Sequence, residues 1–255
     1  MLNILQDVKC ASTTQTLIKT DLFNALPSDI SASLISAAKN IFLNKNDALF
    51  LQHDSARWFY FIVSGWVKIY RETQDGEEAV IELLGEGDFV NESSFLEDNH
   101  YTSNAAAAEK THLIRLPIAL LEEATKRSHK TALAMLSAFA IKRQRQAQEL
   151  EGLKLQNAPQ RIGCFLLRQC GGKLNGTHSV SLPYGKSLIA TQLGMKGETF
   201  SRALKKLKAA THVDVQGSKV HVPEVLELAD FVCAGCSNEY PCKEFLLDPR
   251  QKSSA

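Results

Sequence analysis

The stretch KSLIATQLGMKGETFSRALKKL, residues 186–207, leaves the chain few ways to fold. Ala190 and Gly194 stand four apart, and Phe200 follows six residues later. Two helices crossing at a tight turn need a small residue at their closest approach. They also need a glycine free to take positive φ, and an apolar anchor on the second helix. All three are present at the right spacing, so the segment predicts a helix–turn–helix. HVDVQGSKVHV follows, and its alternation around Gln216-Gly217-Ser218 predicts a β-hairpin, a wing beside the second helix. Upstream, Asn157-Ala158-Pro159 opens a helix over 160–169, then come the loop GGKLNG and a strand edge, SVSLP.

Charge marks the same segment. Residues 153–222 hold eleven Lys/Arg against Glu198 and Asp214 alone, whereas residues 1–152 hold fifteen Lys/Arg against twenty Asp/Glu. The net charge of +1 hides this asymmetry. A basic segment beside an acidic remainder is the footprint of a polyanion-binding domain, and with a winged helix–turn–helix the expected polyanion is double-stranded DNA. The second helix, Gly197 to about Lys208, is then expected to enter the major groove. Arg202 can donate two parallel hydrogen bonds to guanine, Glu198 can accept from a cytosine amino group, and Ser201 can touch a thymine methyl. Glu198 and Arg202 also have the spacing of an ordinary i,i+4 ion pair. Lys196, Thr199, Lys205, Lys206 and Lys208 are expected on the phosphate backbone, setting affinity rather than sequence.

The N-terminal half has a different period. Residues 20–43 read as short helices, with Leu22, Phe23, Leu26, Ile30, Leu34 and Ile35 as the periodic apolar positions. From about Ala48 to Arg115, β-rich alternation such as FYFIVSGWVKIYRE is cut by turn signals at SG, DG, GEGD and EDNH, which predicts a compact β-roll. A helical stretch follows from about Ile118 to Lys154, with no proline and no glycine before Gly152. Leu133, Leu136, Ala140, Ala147 and Leu150 line one face of it, an arrangement suited to packing against a second copy of the chain. A break near Ser128 would instead leave a core helix. The fold class expected is α+β, divided as a β-roll over 20–117, a dimerisation helix over 118–154, a winged helix–turn–helix over 155–225 and a cysteine-containing tail over 226–255.

Several classes drop out. The 255 residues suffice for two modest cores. No apolar run nears the roughly 18 residues that cross a bilayer, and MLNILQDVKCASTTQ lacks the pattern of a signal peptide, so the cytoplasm is expected. No nucleophile elbow, P-loop or HExxH occurs and the histidines are scattered, so an enzyme is not expected.

Together, LKLQNAPQRIGCFLL, SLIATQLGMKGETFSRALKKL, the wing, and the β-roll phrases SGWVKIY and DGEEAVIELLGEGDF resemble the CRP/FNR superfamily of bacterial transcription regulators over roughly residues 20–225. The resemblance implies a cyclic-nucleotide-binding-like β-roll, a homodimer joined by the long helix, and RNA polymerase as a further partner. Glu198, Ser201 and Arg202 form the E-x-x-S-R pattern of the FNR and DNR branches, which implies a TTGAT-type palindrome and an oxygen or nitric oxide signal. In the cyclic AMP-binding branch a glutamate and an arginine–serine pair hold the nucleotide. Here Glu92 is in place, but Thr102 precedes Ser103 where the arginine would stand, so tight cyclic AMP binding is not expected. Haem, which DNR-like regulators can carry, would have to use His53, His100, His112 or His129. The N-terminal cysteine group of FNR is reduced here to Cys10, and Cys164 and Cys170 read as small buried apolar residues.

The tail carries Cys233, Cys236 and Cys242, a C-x2-C-x5-C spacing in which a turn at Gly235 would bring two sulfurs to one metal. This resembles Bacillus-type FNR proteins, whose C-terminal cysteines hold an iron–sulfur cluster. Four readings stay open for it: an iron–sulfur cluster whose gain or loss shifts the dimer between states, structural zinc, a thiol redox switch, or no role. The alternative to a tail sensor is haem in the β-roll with a zinc-bound or inert tail.

Overall fold

A computed structural model of the chain describes residues 15–237 and 242, except 77, 97–98, 171–175, 183–184 and 218. Cys10, most of the GGKLNG loop, Ser218 of the wing and the Tyr240-Pro241 approach to Cys242 lie outside the described residues. The chain divides into two compact units, residues 1–139 and 140–255.

In the first unit, helix α1 (Asp21–Ala25) starts at Thr20, whose hydroxyl accepts from the Phe23 amide at 3.4 Å. Helix α2 (Ser28–Ala37) starts behind Pro27, where the fixed φ suits a first turn. Two antiparallel sheets follow. One runs in the order β1 (Lys39–Leu43), β8 (Thr111–Pro117), β3 (Trp58–Ser64), β6 (Phe89–Val90). The other runs β2 (Ala48–Phe50), β7 (Asn104–Ala107), β4 (Val67–Glu72), β5 (Glu78–Leu84).

The period-2 pattern of β3 serves two cores at once. Phe59 and Phe61 face Ile30, Leu34, Leu116 and Leu121 on the helical side. Tyr60 and Ile62 face Phe50, Val67, Leu84 and Leu113 inside the roll. Each of these large side chains, fully buried, contributes about 1.5–3 kcal/mol relative to exposure. Lys39–Leu43 is a strand, not the end of a helix as its sequence suggested. It pairs with β8 from Lys39↔Arg115 to Leu43↔Thr111 at the sheet edge, where Phe42 stays 67% exposed.

The helical stretch after Pro117 is two helices. Helix α3 (Ile118–Arg127) buries Ile118, Leu121 and Ala124, and helix α4 runs from His129 to Leu155. A single helix over 118–154 does not form, because Ser128 turns extended (φ −128°, ψ 112°) and its hydroxyl accepts from the Thr131 amide at 3.2 Å. That is an N-cap, and it starts a new helix in a new direction. The new start is held by Thr131, whose buried hydroxyl donates to the Ala25 carbonyl at 2.7 Å, and by Lys130, which donates to Asn24 at 2.8 Å. On α4 Thr131 and Met135 are buried, whereas Leu133, Leu136 and Leu150 are 49%, 62% and 52% exposed.

In the second unit, Asn157 and Gln160 form a reciprocal capping box at the start of helix α5 (Ala158–Gln169): the Gln160 amide donates to Asn157 Oδ1 at 3.1 Å and the Asn157 amide to Gln160 Oε1 at 3.0 Å. Helices α6 (Lys186–Gln192) and α7 (Gly197–Thr211) follow, with a three-stranded sheet ordered β10 (Asp214–Gln216), β11 (Lys219–Val222), β9 (His178–Ser181), and then helix α8 (Val225–Cys233). Helices α5, α7 and α8 meet at Gly163. A β-carbon there would lie 2.4 Å from Val232 Cγ2, 3.3 Å from Leu228 Cδ1 and 3.4 Å from Leu207 Cδ1. The Gly163→Ala variant is therefore expected to lose about 1–3 kcal/mol of stability by overpacking, despite the better helix propensity of alanine. Urea unfolding checks this, with an unchanged or raised midpoint as the contrary result.

Candidate nucleic-acid interface

The turn between α6 and α7 is built as its spacing demands. Gly194 takes φ +64°, its amide donates to Thr191 O at 3.0 Å, and the Met195 amide donates to Ala190 O at 2.9 Å. Ala190 and Phe200 are 1% and 4% exposed, so the small residue and the anchor both sit in the core. With Ala203, Leu207 and Thr211, Phe200 forms the buried stripe of α7. That fixes the opposite stripe, on which Glu198, Ser201, Arg202 and Lys205 are exposed.

On this stripe Glu198 and Arg202 stand one turn apart. Arg202 Nη2 lies 3.4 Å from Glu198 Oε1, with the two side chains 69% and 80% exposed. An exposed pair of this kind is worth little in itself and orients the guanidinium without committing it. The Ser201 hydroxyl donates to Gly197 O at 3.0 Å, which holds it low on the helix. Thr199 is half-buried, whereas Lys196, Lys205 and Lys206 are exposed.

Lys208 Nζ lies 2.7 Å from Asp214 Oδ1 and ties the end of α7 to the wing. The Lys208 hydrogen bond, helped by one from Gln216, holds the Asp214 carboxyl below the usual aspartate range. A lowered folded-state value means that this tether is present above the ordinary aspartate pKa and is lost as pH falls through the lowered one. The hairpin behind it pairs Asp214↔His221 through Gln216↔Lys219, with Gly217 at φ +60°. One cation was missed from sequence. Lys186, at the start of α6, lines an open groove with Ser201, Lys205, Lys208 and Val215. Its signal was its place in the first turn of α6, the first helix of the helix–turn–helix.

In the β-roll, Glu92 is half-buried, Thr102 is exposed and Ser103 is 8% exposed. His53, His100 and His129 are exposed, and His112 stacks on Phe42 at 4.3 Å with its Nε2 2.8 Å from Asn40 Oδ1.

The tail begins as a tight turn after α8, in which the Cys236 amide donates to Cys233 O at 3.0 Å. Cys233 and Cys236 are half-buried and Cys242 is 7% exposed. Among the described residues no three His, Cys, Asp or Glu side chains come together as a metal-holding group. Cys170 is buried, as its sequence suggested, but Cys164 is not a plain apolar residue. Burial pushes its thiol up, Arg168 pulls it down, Cys236 pushes it up again, and hydrogen bonds with Gln156 and Arg168 pull it down.

Comparison with known proteins agrees with both units. A cyclic nucleotide-binding domain matches residues 41–128, and a Crp-like helix-turn-helix domain matches residues 160–231. The chain is 26% identical to the cyclic AMP receptor protein of Thermus thermophilus over 82% of this chain and 95% of that protein. It is 24% identical to the fumarate and nitrate reduction regulatory protein of Vibrio cholerae over 77% of this chain and 79% of that protein. Among solved structures, a protein of Ruegeria pomeroyi DSS-3 assigned as cyclic nucleotide binding is 31% identical with a TM-score of 0.61, covering 86% of this chain and 96% of that one. The basic winged helix–turn–helix, the two-sheet β-roll and these likenesses place the chain in the CRP/FNR family of DNA-binding transcription regulators.

Proposed function

We propose that the chain acts as a homodimer that reads a TTGAT-like palindrome and changes its DNA affinity in response to a redox or gas signal, oxygen or nitric oxide. The observation that carries this reading is the exposed Glu198–Ser201–Arg202 stripe, held outward by the Gly194 turn and the buried Phe200 anchor. Arg202 reads guanine, while Glu198 accepts from the opposite-strand cytosine and keeps the guanidinium in plane. Ser201 meets the neighbouring base pair. Lys196, Thr199, Lys205 and Lys206 engage phosphates, and Lys208 does so while it anchors the wing. The exposed Leu133, Leu136, Ala140, Ala147 and Leu150 seam of α4 packs on the same seam of a second copy, which sets two recognition helices for two half-sites. RNA polymerase is the partner that the bound dimer recruits or blocks.

No tight binding of cyclic AMP is expected, since nothing at Thr102 and Ser103 neutralises its phosphate. The sensing role lies with the tail cysteines Cys233, Cys236 and Cys242, through an iron–sulfur cluster or a thiol redox switch, and the alternative is haem sensing in the β-roll with a zinc-bound or inert tail.

Fluorescence anisotropy with a TTGAT palindrome and a scrambled duplex of the same length tests the DNA reading. The reduced protein should prefer the palindrome by a factor of about 10³ or more, as specific regulators do. Equal affinities, both falling steeply with salt, would mean sequence-blind binding and would refute it.

A further inference from the structure

We propose that Cys164 and Cys236 are a two-thiol redox pair, and that closing it into a disulfide weakens DNA binding. This rests on the reading of the chain as a redox-responsive DNA-binding regulator and adds the residue that partners the tail.

The placement comes from helix packing. Gln160, Gly163 and Cys164 share one stripe of α5, and that stripe faces α8 and the turn behind it. Gly163 packs so closely on Val232 that an added β-carbon would lie 2.4 Å from its Cγ2. A β-carbon at Gly235 would lie 2.8 Å from the Gln160 amide group, whose Nε2 donates to Phe231 O at 3.4 Å. The turn is closed by Cys236 N to Cys233 O at 3.0 Å, and Ser237 N donates to Glu151 Oε1 at 3.3 Å. The turn that carries Cys236 is thus held on one side against Gln160 of α5 and on the other by Glu151 of α4, and Cys164 lies one helical turn from Gln160. The two cysteines influence each other electrostatically, and neither is in a disulfide. The C-x2-C spacing of the tail draws attention to Cys233, but Cys233 is the last residue of α8, whereas Cys236 follows in the turn and acts electrostatically on Cys164.

The chemistry needs an oxidant, and a hydroperoxide suffices. The half-buried Cys236, as thiolate, attacks the terminal peroxide oxygen. The S–O bond forms, the O–O bond breaks, and the alkoxide takes a proton and leaves as alcohol. The Cys164 sulfur then attacks the Cys236 sulfur, its proton goes with the departing hydroxide, and water leaves as the S–S bond forms. The two sulfurs together lose two electrons and the hydroperoxide gains them. A dithiol reverses the reaction by exchange.

The bond would act on DNA through the junction at Gly163. A disulfide draws two α-carbons to within about 4.4–6.8 Å in a fixed geometry. Next to Cys164, Gly163 has no spare volume against Val232 and Leu228 of α8 or Leu207 of α7. A shift of α8 against α5 is passed to Leu207 and hence to the recognition helix.

The test uses the full-length protein, fully reduced, then treated with cumene hydroperoxide, blocked with N-ethylmaleimide and digested. Mass spectrometry should find a Cys164–Cys236 peptide cross-link. Anisotropy on the palindrome should show about tenfold weaker binding, a usual size for coupling between sites, restored by dithiothreitol. Cys164→Ser and Cys236→Ser should each lose the cross-link and the oxidant response while binding DNA when reduced, and Cys233→Ser should keep both. If Cys164→Ser folds poorly, Cys236→Ser in the exposed turn tests the same bond. A Cys233–Cys236 cross-link would overturn the proposal, and so would alkylation of Cys164 and Cys236 after oxidation. Protection of both by a bound metal until a chelator is added would overturn it too. Reduced protein that ignores the palindrome would fail the DNA reading instead, since the cross-link is scored by mass alone.

Discussion

The Arg202→Ala variant is expected to bind DNA without reading it. Arg202 lies on the exposed stripe of α7, 3.4 Å from Glu198 Oε1, and supports nothing in the core, so the fold should be unchanged. A bidentate arginine–guanine contact is worth about 1–3 kcal/mol of discrimination. A dimer makes it twice, so preference for the palindrome over a scrambled duplex should fall by ~30-fold or more. Affinity for the scrambled duplex should change little, because Lys196, Lys205 and Lys206 remain to meet phosphates. Arg202→Lys should not rescue the preference, since an ammonium cannot make the paired contact. Competition anisotropy with both duplexes checks this. A uniform loss on both would make Arg202 a backbone contact and remove it from base reading.

The second large effect is expected at the seam of α4. Leu133 and Leu136 are 49% and 62% exposed in the single chain, on the side away from buried Thr131 and Met135. In the proposed homodimer they form the apolar contacts between copies. Leu133→Asp with Leu136→Asp would place like charges opposite each other in that seam, at positions a lone protomer leaves half exposed or more. The double variant should sediment as a monomer with unchanged helical circular dichroism. Its affinity for the full palindrome should drop by a factor of about 10²–10⁴, because the second half-site is no longer held at high effective concentration. Affinity for an isolated half-site should stay near that of the parent. A variant that still sediments as a dimer would move the interface to another surface.

How much of this was readable in the sequence follows from how local each feature is. The helix–turn–helix was legible because its requirements fall on single residues: Ala190 is small, Gly194 must take positive φ, and Phe200 must reach the core. The wing was legible from alternation around Gly217, and the base-reading stripe follows once the buried stripe of α7 is known. The break at Ser128 was harder to see. No glycine or proline marks it, and it depends on Thr131 reaching the Ala25 carbonyl, more than a hundred residues away in sequence. The β1 strand was hidden because five edge residues carry too little alternation to separate them from a helix end. Cys164 looked like a small core residue because nothing near it in sequence foretells the turn at Gly235 that packs on Gln160. C-x2-C-x5-C is local, but a metal site is made by where the sulfurs point.

The central claim is that a dimer of this chain reads two half-sites from one face of the duplex. A hydroxyl-radical footprint of the reduced protein on a TTGAT palindrome tests it most directly. Two protected patches, centred one helical turn apart on one face and lost together in Arg202→Ala, are the expected result. Protection spread evenly along the duplex, or a single patch at one half-site, would contradict it.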